Sequence, residues 1–134
     1  MCIRDRLTPI PKLDVLGMSI NRVRTNFHFS GIGIDPGRNF GITIGDGENV
    51  TVLYGTMPKE RNYGIYAYDL IMALDLPDVP TTVEGASYGD VNGQVPLAET
   101  RFGFIIGLFH KFNAMPVIPA PMTCLLYTSD AADE

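Results

Sequence analysis

The chain has 134 residues, 46% hydrophobic and 19% charged, with 15 Asp/Glu against 10 Lys/Arg. That length and balance fit one small globular domain, and no internal repeat or low-complexity run is present. The longest strongly apolar stretch, Phe102 to Phe109, is far too short to span a bilayer. The N-terminus lacks a charged region followed by an apolar core, so neither a membrane span nor a signal peptide is expected.

The two ends read differently from the rest. "MCIRDR" at 1–6 and "CLLYT" at 124–128 can be written in codons that are reverse complements of one another. Natural termini have no reason to be inverted complements. Residues 1–6 and 124–134 are therefore expected to be a translated transposon-end sequencing adapter, set aside as a fusion scar would be. Cys2 and Cys124 lie in these ends, so no disulfide or thiolate chemistry is expected in the domain. Residues 7–26 are either upstream sequence or a loose N-terminal arm, with Met18 a possible true start.

In chain order, Phe27 to Asp35, Asn39 to Gly45 and Val50 to Tyr54 read as three strands. Asp46 to Asn49, "DGEN", is a turn between apolar runs. Short connections predict an antiparallel meander. The period then changes. Thr56 suits a helix cap, with Pro58 in the first turn, and Tyr63 to Leu74 suits a helix through Ile65, Tyr68, Ile71, Met72 and Leu74. Thr81 to Glu84 is a fourth short strand, followed by a glycine-containing loop over Gly85 to Gly93. Pro96 to Phe112 predicts a second helix with Leu97, Phe104, Ile105, Leu108 and Phe112 on one face. Gly103 and Gly107 lie four apart on it, where another element can pack closely. Met115 to Ile118 is a fifth strand between prolines. A meander followed by αβαβ implies an α/β domain with a mixed sheet and helices on its faces.

Two acids close apolar strands: Asp35 after "GIGI" and Glu84 after "TTV". Strand ends in such sheets form ligand crevices. If the first and fourth strands are neighbours, the two carboxylates converge. Close carboxylates repel, so one keeps a proton unless a cation sits between them. Mg²⁺ suits such a pair because it takes oxygen ligands and leaves positions for water and phosphate. Plain turn or solvated roles stay open for both acids, since Asp before Pro-Gly is a common turn residue. Asp46 reads as a turn residue, and Asp69, Asp75 and Asp78 as solvated helix positions. His28 and His110 read as structural or exposed.

"GIGIDPGRNFGITI", "TTVEGASYG", "LAETRFGFIIGLF" and "PVIPAPMT" together resemble the RuvC-type Holliday junction resolvases of the ribonuclease H-like superfamily, in phage-type or divergent form. The likeness spans roughly Phe27 to Thr123. It implies a ribonuclease H-like mixed five-stranded sheet, and a nuclease domain over 27–123 that lacks its C-terminal helix. It also implies a cytoplasmic, metal-dependent endonuclease, using Mg²⁺ or Mn²⁺ as two ions, that cuts branched DNA in recombination, repair or phage DNA processing. A homodimer would nick two strands. Asp35 matches the family's first-strand metal-binding aspartate and Glu84 its fourth-strand glutamate. Gly37 would let substrate or backbone approach.

The family completes its site with one or two further acids on a C-terminal helix, after a basic segment. Asp130 and Asp133 are spaced like such a pair, but they lie in the expected adapter and receive no role. The fragment is accordingly expected to be inactive by itself. Arg38, Lys59, Arg61, Arg101 and Lys111 are candidate phosphate contacts, since DNA binding needs local rather than global positive charge. Tyr88 could stack on a base. Arg38, Arg101 and Tyr88 join Gly37 as the nucleic-acid-binding set. Two other readings remain: an actin- or sugar-kinase-type ATPase fragment, and a non-catalytic DNA-junction binder. The first usually follows its aspartate with small hydroxyl residues, where this chain has Pro36-Gly37-Arg38-Asn39.

Overall fold

A computed structural model describes residues 7–60, 62–85 and 94–118, with the side chains of 94 and 95 excepted. Residues 1–6, 124–134, Arg61 and Tyr88 lie outside the described residues, and so do the roles expected of them. The elements are β1 (Thr8–Val15), β2 (Met18–Thr25), β3 (Ser30–Asp35), β4 (Asn39–Asp46), β5 (Val50–Thr56), α1 (Tyr63–Ala73), β6 (Thr81–Val83) and α2 (Gln94–Phe112). They build an α/β fold around one mixed sheet ordered β1-β2-β5-β4-β3-β6.

β3, β4 and β5 form the expected antiparallel meander. The Asp46 carboxylate accepts the amides of Glu48 and Asn49, and Gly47 takes φ +103°, so the hairpin turn closes on its own side chain. β6 then lies parallel to β3, because α1 carries the chain back across the sheet before it re-enters.

The sheet has six strands, not the five expected. The stretch before residue 27, expected to be upstream sequence or a loose arm, forms a hairpin instead. β1 pairs with β2, and β2 pairs with β5. Its physical anchor is apolar: Met18 and Ile20 are buried in the main core, and the Tyr66 hydroxyl of α1 donates to the Leu16 carbonyl in the turn. The edge strand β1 carries Pro9 and Pro11 and a register shift between Ile10 and Leu13. Both features discourage a further strand from adding there. The expected fifth strand at Met115 to Ile118 is reduced to one parallel bridge, Val117 to Thr82.

α1 begins at Asn62, not at Thr56. The Asn62 side chain accepts the Ile65 amide, whereas Thr56 still belongs to β5 and donates its hydroxyl to Asn39 Oδ1 at 2.7 Å. The buried face of α1 is Tyr66, Ala67, Leu70 and Ile71. Ile65 and Met72, expected to be inward, are 61% and 39% exposed. On α2 the expected face is largely present: Phe104, Ile105 and Leu108 are buried. Gly103 and Gly107 form the seam against α1, as their spacing suggested. No helix among the described residues is long and apolar enough to cross a membrane.

Lys111, a candidate phosphate contact, is used inside the fold. Its Nζ donates to the Leu74 carbonyl at 2.7 Å and reaches those of Ile71 and Met72 at 3.3 and 3.5 Å. It therefore closes the carbonyl end of α1, where positive charge is favoured. Lys111→Met should cost about 1 kcal/mol of stability, read as a lower urea midpoint with an unchanged slope.

Candidate metal-binding carboxylate pair

β3 and β6 run side by side and in register: Ile32 faces Thr81 and Ile34 faces Val83. Ile34 and Val83 are both buried. Asp35 and Glu84 are the next residue on each strand, and the Glu84 amide donates to the Ile34 carbonyl at 2.9 Å. Because side chains alternate along a strand, both carboxyls leave the core on the same side. Strands lie only about 4.8 Å apart. The two carboxyl groups are hydrogen-bonded to each other.

The electrostatics follow from that contact. Burial raises the Asp35 pKa, and the hydrogen bond with Glu84 opposes part of the rise. Glu84 is pushed up to about 7 by burial, by the neighbouring Asp35 charge and by the shared hydrogen bond. The hydrogen bond lowers the Asp35 pKa and raises that of Glu84, so Glu84 is the donor of the pair and gives up its proton as pH rises through about 7. Glu84 Oε1 is buried with no hydrogen-bond partner among the described residues. An oxygen-only donor set, shared protonation and an orphaned carboxylate oxygen fit a hard divalent cation that would displace the proton. Among the described residues no group of three or more His, Cys, Asp or Glu gathers here. The chain's described contribution is two carboxylates.

The loop after Asp35 is rigidly held. Gly37 has φ +146°, and a Cβ there would meet the Asn39 carbonyl oxygen at 3.2 Å, so a side chain is strained at this point. Met57 donates its amide to the Arg38 carbonyl at 2.7 Å. With the Thr56–Asn39 bond, this ties the strand ends of β4 and β5 to the loop. Arg38 is half-buried, and its Nε has no partner among the described residues.

Arg101 sits on α2, also half-buried with an unpartnered Nε. Among the described residues, no hydrogen bond or ion pair joins it to the carboxylate pair. Lys59 is exposed on the connection to α1.

Sequence reading missed Gly41. It pairs directly with Asp35 across the sheet, and a Cβ there would lie 4.0 Å from the Asp35 Cβ. This leaves the flank of Asp35 free of a side chain on the β4 side. Only the pairing register reveals it, so no signal within the sequence singled it out. The histidines are structural or surface groups, as expected. His28 contacts the Gly47 carbonyl, and His110 stacks on Tyr68 and hydrogen-bonds its hydroxyl.

Comparison of the chain with known protein families, with characterised proteins and with solved structures gives no match.

Proposed function

We propose that this chain carries part of the active site of a divalent-metal-dependent endonuclease of the RuvC type, acting on branched DNA. One observation carries the reading: Asp35 and Glu84 meet, hydrogen-bonded, at the ends of adjacent parallel strands and leave one carboxylate oxygen without a partner among the described residues. The sheet order supports it. The meander's first strand, β3, is flanked by its own second strand, β4, and by the parallel β6, the arrangement that the ribonuclease H-like resemblance implies. Val117 continues the series beyond β6.

In this reading Asp35 and Glu84 hold Mg²⁺ or Mn²⁺, with further acids of a C-terminal helix completing the set. Bound there, two such ions supply activation of the attacking water and neutralisation of charge at the leaving oxygen. The protein's own work is geometric. The paired strands hold both carboxyls in one place, Gly37 and Gly41 keep side chains away from the approach, and Arg38 offers a guanidinium beside the loop to a phosphate. A second copy of the chain would supply the second nick.

Asp35→Asn, in a gene product that carries the further acids, should abolish Mg²⁺-dependent cleavage of a labelled four-way DNA junction. Junction binding and the circular dichroism spectrum should stay close to wild type. Unchanged cleavage by that variant removes the assignment.

A further inference from the structure

The face of β2 that turns toward the core changes character along its length. Met18 and Ile20 are buried there, and the next two positions of the same alternation are Arg22 and Arg24. Strand pairing sets both on the helix-bearing side of the sheet. Arg22 lies beside Leu53 and then Ile42, and Arg24 beside Thr51 and then Ile44. α1 stops short of this corner at Ala73. Between the turn that follows it and the strands lies a cavity of about 620 Å³, lined by both arginines. Leu13, Ile44, Leu53, Leu74 and Leu76 supply apolar surface to it, and the last three are buried. Asp46 on its lining pairs with Ser30 at the start of β3, whereas Asp35 closes that strand. The cavity is therefore at the far end of the sheet from the carboxylate pair.

Both guanidiniums are held in place by neutral acceptors. Arg22 Nε donates to the Pro11 carbonyl at 2.7 Å, toward β1, and Arg24 Nε to the Thr51 hydroxyl at 3.3 Å, toward β5. Among the described residues no carboxylate forms an ion pair with either, so their terminal nitrogens keep donors to offer. The three acids on the lining do not compensate them. Asp46 spends its carboxylate on the Glu48 and Asn49 amides. Asp14 alternates with the core-packed Leu13 and Val15, which turns its side chain to the other face. Asp75 is exposed, where solvent screens it.

We infer that this cavity binds a small amphipathic anion, with a carboxylate or phosphate head between Arg22 and Arg24 and an aliphatic body over Leu53, Leu74 and Leu76. Guanidinium groups match planar and tetrahedral oxyanions through paired N–H donors. The volume suits a small molecule. No aromatic side chain among the described residues lines the cavity, so it offers an alkyl chain a surface but gives a nucleobase nothing to stack on.

The inference is independent of the nuclease reading, and its test uses the whole chain without DNA or divalent metal. Octanoate and octyl phosphate, titrated separately, should each give saturable amide NMR shifts at Arg22, Arg24, Thr51 and Leu76, with none at Gly37 or Gly41. The tighter of the two names the head group. 1-Octanol, which lacks the charge, and acetate or inorganic phosphate, which lack the body, should bind at least about 10-fold more weakly. Arg22→Gln and Arg24→Gln should each weaken the anion by about 10-fold while leaving the circular dichroism spectrum unchanged. The wild-type comparison of probes needs no variant to fold. Absence of saturation with both anions, octanol binding as tightly as octanoate, shifts centred on the Asp35 loop, or undiminished binding by both folded variants would each overturn the site. Shifts at the same residues on raising protein concentration alone would assign the cavity to another copy of the chain and overturn it as well.

Discussion

In the absence of divalent cations, stability should fall between about pH 5 and about pH 8, and Glu84→Gln should remove most of that fall. A carboxyl whose folded pKa exceeds its unfolded value holds its proton more tightly in the folded state. Its stabilisation is complete below the unfolded value of 4.5 and disappears as pH rises through about 7. Above that point two neighbouring carboxylates are both charged and partly buried. Asp35, whose pKa is also raised by burial, adds to the trend in the same direction.

The size is limited because Glu84 is only partly buried. Solvent screening reduces the effect to about 1–2 kcal/mol, below what the full shift would imply. Glutamine keeps a neutral donor toward Asp35, so the variant resembles the protonated state at every pH. Mg²⁺ should reverse the pattern. It should raise the melting temperature at alkaline pH, where it takes the proton's place, and do little at acid pH. Urea or thermal melts across pH, with and without Mg²⁺, read both effects. A flat profile in the wild-type chain, or an equal Mg²⁺ effect at both pH extremes, would show that the pair is neither proton-sharing nor metal-binding.

Gly103→Ala should destabilise the fold by about 2–3 kcal/mol, even though alanine is the better helix former by about 1 kcal/mol. The new Cβ would fall 2.1 Å from the Gly64 carbonyl oxygen and 2.9 Å from its carbon. Those are backbone atoms of α1, so relief requires the two helices to separate. Separation in turn loosens Tyr66, Leu70, Phe104 and Leu108, all fully buried beneath them. Gly107→Ala is the internal control. Its Cβ would meet Ile71 Cβ at 3.0 Å and Cγ2 at 3.2 Å, a side chain that can shift slightly. Its change should stay within about 1 kcal/mol, because propensity and crowding oppose each other. Equal urea midpoints for the two variants would contradict the seam geometry.

Much of the fold was legible because its signals are local. The meander follows from alternating apolar runs and from "DGEN", whose Asp46 caps its own turn. The glycine pair on α2 announced a close packing seam. Other features escaped for definite reasons. Thr56 and Asn62 are both competent caps, and only the length of β5 decides between them. Ile65, Tyr68 and Met72 satisfy a helical period as well as Tyr66 and Leu70 do. A helix with two apolar stripes does not declare which one meets the sheet. Lys111 has the composition of a surface cation, and its contact with the α1 carbonyls spans some forty positions of sequence.

The hairpin before residue 27 shows the same division. Pro9 and Pro11 suggest a loop when read locally, yet an edge strand tolerates proline because one row of its backbone groups has no partner. Pairing of β2 with β5 depends on a long-range contact that no local pattern encodes.

The amino-acid sequence by itself determined the three meander strands, the two helices and the short strand between them, and it placed one acid at the end of each of two apolar strands. It did so because periodicity, turn chemistry and strand termini are properties of neighbouring residues. Tertiary structure alone decided that β3 and β6 lie parallel and in register. That register brings two carboxyl groups, forty-nine positions apart in sequence, into hydrogen-bond contact. Proximity across a sheet is set by strand order, and strand order is fixed only when the whole core packs.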